Sequence, residues 1–434
     1  MGYLRTTRIQ RTMRFDINVK DTEVISLVSR FIAITGEGPW VRKFRVLQQQ
    51  GIENPFLKQW QLERAGIEMK LGHLLARQES EGRFPILPED ERHYDLYGFA
   101  AGIVRIHERL SPAAQRRLRG MLLDGLKPDN NLLSLQHEIT TAVHLVLRGY
   151  EIECNDLERG SGVDFIASRD GIEVEVECRM FTGDLGRQLH RRKVLMLHKH
   201  VSETVARAFQ SATRGLFVRV TLPSRLTCSP AQLAGIGQAL SAGLLAGNQT
   251  TKTPDCEIEV VDFAIENSPF NVSSPKDIDR ATLDRFAQGK FARPNKEMMV
   301  FFSPKKRAVV ALVESAKPDE VLKGVARQLR DKAEQFTKTR PGVISVQFQD
   351  LTADQLENIA DQDSHSPAGP NGLQILTHDF FDSEKRAHVH TVVYRSQSRI
   401  IAEGNTITGG GPAYFFRNRH HTHYADERCG LFGG

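Results

Sequence analysis

Apolar positions recur at helical spacing through the first part of the chain, and the pattern changes near residue 131. In Phe56–Arg77, leucines, an isoleucine and a tryptophan return every three or four residues, as on one face of a helix. This spacing predicts a mainly helical N-terminal region over residues 1–130. From residue 131, a helical stretch is followed by three short strand-like runs, a charged helix and the apolar strand Gly215–Leu222. The order helix, strand, strand, strand, helix, strand predicts an α/β core over residues 131–222.

The rest of the chain gives weaker patterns at first and clearer ones later. Residues 223–295 combine an Ala- and Gly-rich helix with one strand and a polar stretch, so we expect a mixed connecting region there. Residues 296–434 carry several strand patterns around one amphipathic helix, which predicts an α+β C-terminal region. Gln362–Gly372 and Gly404–Pro412 are typical of loops by composition. The fold class that we expect is α/β, with a central mixed sheet and flanking helices.

Composition narrows the class of protein without choosing its function. The chain has 434 residues, of which 40% are hydrophobic and 26% charged, as in a globular protein of two or three domains. Its five cysteines form no CxxC pair, which argues against a disulfide framework. No apolar run is long enough to span a bilayer. A net charge of +5 permits nucleic-acid binding. We expect a cytoplasmic protein with no membrane partner.

The dipeptide Asp170-Gly171 lies between two apolar-rich runs, and this is a strong signal for a two-residue hairpin turn. Counting outward from that turn places Asp164 directly opposite Glu177. Directly paired side chains project from the same face, with Cβ atoms about 5 Å apart. Two carboxylates at that distance repel each other unless a cation lies between them, and a divalent cation with oxygen ligands satisfies both.

The second strand of this hairpin alternates strictly between apolar and charged residues. One face carries Ile172, Val174, Val176 and Cys178, and the other carries Glu173, Glu175, Glu177 and Arg179. A solvent-exposed face is the ordinary explanation of such alternation. That explanation does not account for the pairing with Asp164 or for a fourth acid, Glu138, on the preceding helix.

Together these residues resemble the D…(D/E)xK signature of the PD-(D/E)xK, or restriction-endonuclease-like, nuclease superfamily. Asp164 and Glu177 are thirteen residues apart across a short hairpin, a spacing similar to that in Mrr-type restriction enzymes and archaeal Holliday-junction resolvases. Those families also have a helix glutamate before a Gly-aromatic pair, which Glu138 and Gly149-Tyr150 match. The resemblance covers roughly residues 132–220, about a fifth of the chain.

The resemblance implies a restriction-endonuclease-like core that hydrolyses phosphodiester bonds in DNA, with RNA as a second candidate substrate. It further implies that Asp164, Glu177 and the backbone carbonyl of Cys178 bind Mg²⁺ or Mn²⁺. Glu138 would lie behind these ligands or bind a second ion. The implied setting is restriction, phage defence, repair or mobile-element biology. A homodimer would suit double-strand cleavage, because one site cuts one strand.

Arg179 departs from the pattern, because the superfamily usually has lysine there. Arginine can stabilise negative charge on a phosphate, but it stays protonated and cannot act as a base. One alternative is therefore a catalytically weakened nuclease fold that binds nucleic acid. A second reading of the motif uses Glu175 and Glu177 as an ExE pair. A further alternative belongs to a different class of function: a structural or interaction protein whose acidic strand is solvated.

A strongly basic segment follows the hairpin. It contains Arg187, His190, Arg191, Arg192 and Lys193 at the beginning of the predicted charged helix. Like charges on one helix reduce its stability, so this segment favours an anionic partner. We expect these five residues to contact the phosphate backbone of DNA.

Overall fold

The structure is a computed structural model, and it divides the chain into two compact units. Unit 1 is formed by segments within residues 1–49, 61–185 and 322–434, and unit 2 by residues 50–60 and 186–321. Each unit has its own sheet and its own hydrophobic core. The described residues are 9–82, 91–247, 250–288, 297–365, 370–396, 399–403, 406–422 and 431.

The described residues contain fourteen α-helices and thirteen strands. The helices are α1 (Asp21–Thr35), α2 (Gly38–Glu53), α3 (Leu57–Arg64), α4 (Gly66–Glu81), α5 (Tyr94–His107), α6 (Pro112–Gly125), α7 (Leu133–Leu147), α8 (Asn155–Arg159), α9 (Arg191–Ser211), α10 (Pro230–Ala246), α11 (Arg280–Gln288), α12 (Val321–Ala333), α13 (Ala353–His365) and α14 (Gly372–Phe381). The strands are β1 (Ile9–Lys20), β2 (Glu151–Glu153), β3 (Phe165–Arg169), β4 (Ile172–Phe181), β5 (Gly215–Leu222), β6 (Thr250–Lys252), β7 (Glu257–Phe263), β8 (Glu297–Ser303), β9 (Arg307–Ser315), β10 (Gly342–Phe348), β11 (Val389–Arg395), β12 (Arg399–Glu403) and β13 (Thr406–Arg417).

The sheet of unit 1 is mixed and has eight strands. Its main path runs β1-β13-β11-β10-β4-β3-β2, and β12 pairs with β13 outside that path. Strand β4 is antiparallel to β3 and parallel to β10, which is in turn parallel to β11. Because parallel neighbours need a long connection, helices lie between these strands in the chain. Strand β4 therefore occupies an interior position, with hydrogen-bonded neighbours on both sides.

The β3–β4 hairpin has the register that the sequence predicts. Asp170 and Gly171 both have positive φ angles, 52° and 77°, as a type I′ turn requires. The antiparallel pairing continues from that turn to Phe165 opposite Val176. Glycine at the second turn position adopts this backbone conformation without steric cost. The local turn chemistry thus sets which side chains of β4 face each side of the sheet.

Helices cover both faces of β4. On one face, Val174 and Val176 are fully buried in a cluster that includes Leu145 of α7. On the other face, Leu329 of α12 packs in a cluster with Ile344 of the neighbouring strand β10. Full burial of one such side chain contributes about 1.5–3 kcal/mol. Unit 1 is therefore layered here as helix, sheet and helix, and the charged face of β4 lies beneath α12.

Unit 2 has a five-stranded mixed sheet in the order β6-β7-β5-β9-β8. Strand β5 is parallel to β9, and the other pairs are antiparallel. Helices α9 and α10 contribute Val205 and Leu240 to one core cluster. Phe217, Phe263 and Phe270 belong to a second cluster with edge-on and tilted ring contacts. Unit 2 thus buries both faces of its sheet.

The coarse fold prediction is confirmed, because the chain is a mixed α/β protein. The structure divides the expected core of residues 131–222, with residues up to 185 in unit 1 and those from 186 in unit 2. The helix and strand that follow β4 along the chain, α9 and β5, belong to the sheet of unit 2. The helix and parallel strand that join β4 are instead α12 and β10. Local sequence patterns cannot show which strands share a sheet, because that depends on pairing between distant segments of the chain.

Two segments expected to be loops contain regular structure. Residues 406–412, within the expected loop Gly404–Pro412, lie in β13, which pairs with β1, β11 and β12. Residues 362–365, within the expected loop Gln362–Gly372, form the end of α13. The described residues of the N-terminal region form α1 to α6 and also β1, whose partner β13 is remote in sequence. None of the helices in the described part of the chain combines the length and apolarity that a bilayer crossing requires.

Candidate active site

The end of the β3–β4 hairpin brings Asp164 against β4. Asp164 directly precedes β3, one position beyond the last strand pair, which places it opposite Glu177. Its Oδ2 accepts a hydrogen bond of 2.6 Å from the backbone N–H of Cys178. This bond fixes the Asp164 carboxylate beside the strand segment that carries Glu177. The pairing expected from the turn is therefore present in the folded chain.

Glu138 joins these two acids from α7. Burial raises the pKa of Glu138 well above its usual range, and the carboxylates of Asp164 and Glu177 raise it further. Three carboxyl groups from α7, the hairpin and β4 thus interact within one partly desolvated site. Their elements are fixed by packing, since Leu135 and Ile139 on either side of Glu138 are buried in the helical core.

Electrostatics at this site disfavour having all three acids charged. Burial raises the pKa of Glu177 to about 8, and Asp164 acts in the same direction. Burial also raises the pKa of Asp164 to about 6, against the lowering effects of the Cys178 amide, Lys332 and Arg179. The side chain of Glu177 is only 1% exposed. A cation placed among these groups would stabilise their charged forms.

Lys332, in the last turn of α12, supplies an ammonium group to the acidic site. Its Nζ donates a hydrogen bond to Oε1 of Glu177, and only 16% of the Lys332 side chain and 1% of the Glu177 side chain are exposed. The Lys332 charge also lowers the pKa of Glu138 and of Asp164. No local sequence pattern points to this residue as a partner of Glu177, because 155 positions separate the two. The only local feature of the sequence at Lys332 is its position on an amphipathic helix that precedes a strand.

The charged face of β4 is not solvated. Glu175 and Glu177 are both fully buried, so the explanation of the alternation as an exposed face is wrong for them. Glu175 does not serve as an open ligand, because its oxygens accept hydrogen bonds from Thr337 Oγ1 (2.5 Å) and Thr337 N–H (2.9 Å). Arg340 is a further ionic partner, 3.6 Å from Glu175. These contacts leave Glu177 as the acid of β4 that interacts with Asp164.

Arg179 follows on the same face of β4. Its charge lowers the pKa of Asp164, so the guanidinium contributes to the field of the site. Its Nε is buried and has no hydrogen-bond partner among the described residues. Arg179 and Lys332 together place two kinds of cation near the acids: a planar guanidinium and a compact ammonium.

The five basic residues expected to contact DNA lie in unit 2. His190 precedes α9, and Arg191, Arg192 and Lys193 form its first turn. The Arg192 guanidinium lies 5.7 Å from the centre of the Trp60 ring. All five basic residues, including Arg187, therefore lie in a different unit from the three acids.

The residues of the acidic site fit a divalent metal in part. Oε2 of Glu177 is a buried acceptor without a hydrogen-bond partner among the described residues. Within one strand residue, N–H and C=O point to the same side, so the Cys178 carbonyl faces the Asp164 side beyond the end of β3. These are acceptors of the kind that Mg²⁺ and Mn²⁺ prefer. No three His, Cys, Asp or Glu side chains in the described ranges are close enough to hold an ion, and Lys332 occupies one oxygen of Glu177.

Comparison with models of protein families, with curated proteins and with solved structures finds no match for this chain.

Proposed function

We propose that unit 1 is a metal-dependent nuclease core of the PD-(D/E)xK type that hydrolyses phosphodiester bonds in DNA. The observation that carries the proposal is one buried site with three carboxylates, from Asp164, Glu177 and Glu138, and the ammonium group of Lys332. Such a set combines oxygen ligands for a hard cation with an ammonium group that can stabilise negative charge. Sites of this kind suit hydrolysis of a charged ester.

The arrangement of elements around the site supports the proposal. Helix α7 is followed by β2, β3 and β4, and then, after unit 2, by α12 and the parallel strand β10. This is the order of helix, three strands, helix and strand that the sequence pattern predicts for the core, with the short helix α8 added between β2 and β3. The larger segment of unit 2, residues 186–321, would then be an insertion after β4, although residues 50–60 also belong to unit 2. The inserted chain explains why α9 and β5 follow the motif in sequence but not in the sheet.

Each residue of the site has a role in this proposal. Asp164, Glu177 and the Cys178 carbonyl would hold Mg²⁺ or Mn²⁺, with Glu138 behind them. Bound metal would supply two effects at this site, polarisation of the phosphate and a lowered pKa of a bound water, whose hydroxide form is the nucleophile. Arg179 would bind a non-bridging phosphate oxygen. As an ammonium group, Lys332 would donate a hydrogen bond that orients the attacking water and would stabilise the negative charge that develops on the phosphate, while the proton of that water passes to solvent. It would then replace the lysine that the strand motif lacks.

The pKa shifts give the proposal a chemical consequence. With the pKa of Glu177 raised to about 8, this carboxyl carries a proton at neutral pH before a cation binds. Metal binding must then release that proton, so the affinity for metal rises with pH. Lys332 would be freed from Glu177 by the same event and become available to the substrate.

Cleavage assays with matched variants test the proposal. Purified protein is incubated with supercoiled plasmid, linear duplex, single-stranded DNA and RNA, with Mg²⁺, Mn²⁺ or EDTA. We expect metal-dependent cutting of DNA that is lost in Asp164→Ala and Glu177→Ala. Glu173→Gln, which changes an exposed acid of the same strand, is the matched control and should cut normally. Cutting that survives in both site variants would come from another protein and would overturn the proposal.

The departure at Arg179 favours a second candidate function, a nuclease fold that binds nucleic acid without cutting it. The same assays separate the two functions. Binding of DNA with no cleavage under any metal condition supports the second candidate. Cleavage that also requires Lys332 supports the first.

A further inference from the structure

A basic cleft opens in unit 1 beside the loop that follows α12. Its volume is about 430 Å³, and it lies where the loop before β10 meets the segment before β11. We define the basic cleft by its charged and imidazole side chains, which are Lys338, Arg340, Lys385, His388, His421 and Glu384. Three permanent cations and two imidazoles thus face a single carboxylate among these lining residues. Thr339 and Thr422 add hydroxyl groups.

The positive charges of the cleft are not equally compensated. Arg340 donates a hydrogen bond of 2.5 Å to Glu173 and lies 3.6 Å from Glu175, so these two acids of β4 compensate its positive charge. Lys338 and Lys385 are exposed, and neither forms an ion pair within the part of the chain that the structure describes. Two uncompensated ammonium groups at one cleft attract an anion.

The neighbourhood of His388 gives independent evidence that the cationic groups converge. Burial lowers the pKa of His388, and the nearby charge of Lys338 lowers it further. Its Nε2 donates a hydrogen bond of 2.9 Å to the Ala333 carbonyl, which anchors the ring to the end of α12. Lys338 itself has a φ of 66°, a left-handed conformation that is uncommon for a residue with a side chain. The loop therefore holds its lysine in place at some conformational cost.

The cleft is close to the acidic site along the sheet. Gly342, the first residue of β10, pairs with Glu175, and Ile344 pairs with Glu177. The lining residue Pro341 directly precedes Gly342, so the loop that lines the cleft leads into the strand beside Glu177. The loop 334–341 also begins directly after the helix that carries Lys332.

We propose that the basic cleft binds a backbone phosphate of the nucleic acid close to the scissile bond. The inference rests on the proposed nuclease function and adds a positioning site to it. Lys338 and Lys385 contact the phosphate as point charges, and the threonine hydroxyls donate hydrogen bonds. The cleft thereby sets which phosphodiester reaches Asp164 and Glu177.

The test measures DNA binding without turnover. All variants carry Asp164→Ala, the buffer contains EDTA, and affinity for a labelled 20-base-pair duplex is followed by fluorescence anisotropy over a range of salt concentrations. The cleft variant is Lys338→Ala with Lys385→Ala. The control is Arg45→Ala with Lys127→Ala, which removes two exposed charges of the same unit from pairs with Glu79 and Asp124. Thermal melting verifies that each variant is folded.

We expect the cleft variant to bind at least tenfold more weakly at about 0.1 M salt. The slope of log K against log salt should fall by about 0.9, since the one lost phosphate contact contributes about that much. The control should keep both its affinity and its slope. Equal slopes in the two double variants would overturn the proposal. So would loss of inorganic-phosphate binding, measured by calorimetry, with unchanged DNA affinity, because the cleft would then bind free phosphate. Absence of cleavage in the wild type would count against the nuclease function but not against this site.

Discussion

Replacing Glu177 by glutamine should make the metal-free protein more stable at neutral and alkaline pH. Glutamine keeps the size of the side chain and an oxygen that can accept the Lys332 hydrogen bond. It removes a carboxyl that burial and Asp164 hold at a pKa of about 8. Asp164 and Glu138 still provide negative charge near Lys332. The substitution therefore isolates the cost of ionising one buried acid.

The magnitude follows from the difference between the folded and unfolded pKa values. The unfolded carboxyl loses its proton near pH 4.5, whereas the folded one keeps it to about pH 8. Between these values the folded state binds more protons, so the free energy of unfolding falls as pH rises. The slope is about 1.4 kcal/mol per pH unit. Between pH 5 and pH 7 the wild type should thus lose about 3 kcal/mol relative to Glu177→Gln.

Urea denaturation in EDTA at pH 5, 6, 7 and 8 measures this difference. We expect the two proteins to be similarly stable near pH 5 and to diverge steadily as pH rises. Glu173→Gln is the control, because Glu173 lies on the same strand with a half-exposed side chain. Its stability should follow the wild type to within about 1 kcal/mol at every pH. Parallel curves for the wild type and Glu177→Gln would refute the reasoning, because Glu177 would then have an ordinary pKa.

Three further predictions concern the amine, the metal and the turn. Lys332→Ala should lower the rate of DNA cleavage by about 10²–10³-fold, as for loss of a donor that stabilises developing negative charge, whereas Lys323→Ala on the same helix should not; equal rates in plasmid cleavage assays would contradict the role of Lys332. Mn²⁺ binding at pH 7 should release roughly one proton, because Glu177 must ionise. Calorimetry in two buffers of different ionisation enthalpy should therefore give different apparent enthalpies, and identical values would argue against Glu177 as a ligand. Gly171→Ala should lower the free energy of unfolding by about 1 kcal/mol, since the position has a φ of 77° and no neighbouring atom within 4 Å. Gly66→Ala, at an equally open position without a positive φ, should leave stability unchanged or raise it, and equal effects of the two substitutions in urea denaturation would contradict the turn assignment.

The hairpin and its acids could be predicted from the sequence because a short turn determines them. Asp170 and Gly171 fix the register, and the register places Asp164 opposite Glu177 without any contribution from distant residues. The burial of Glu177 could not be predicted in this way. It depends on α12, which is separated from β4 in the chain by the larger segment of unit 2, residues 186–321.

Lys332 and β13 were missed for the same physical reason. Lys332 meets Glu177 only through the packing of a helix that is remote in sequence. Residues 406–412 in β13 are rich in glycine, and their composition favours a loop. Pairing with β1, β11 and β12 overrides that preference by satisfying their backbone hydrogen bonds. Long-range pairing therefore decides both the completed site and the edge of the sheet.

Whether unit 1 is a metal-dependent nuclease can be decided by comparing plasmid cleavage by the wild type and by Asp164→Ala, purified in parallel. We expect the wild type to convert supercoiled plasmid to nicked or linear forms with Mn²⁺ or Mg²⁺ and not with EDTA. We expect Asp164→Ala, folded and at equal concentration, to leave the plasmid intact. Equal cleavage by the two proteins would contradict the nuclease function, and so would an inactive wild type whose Mn²⁺ binding has been verified by calorimetry.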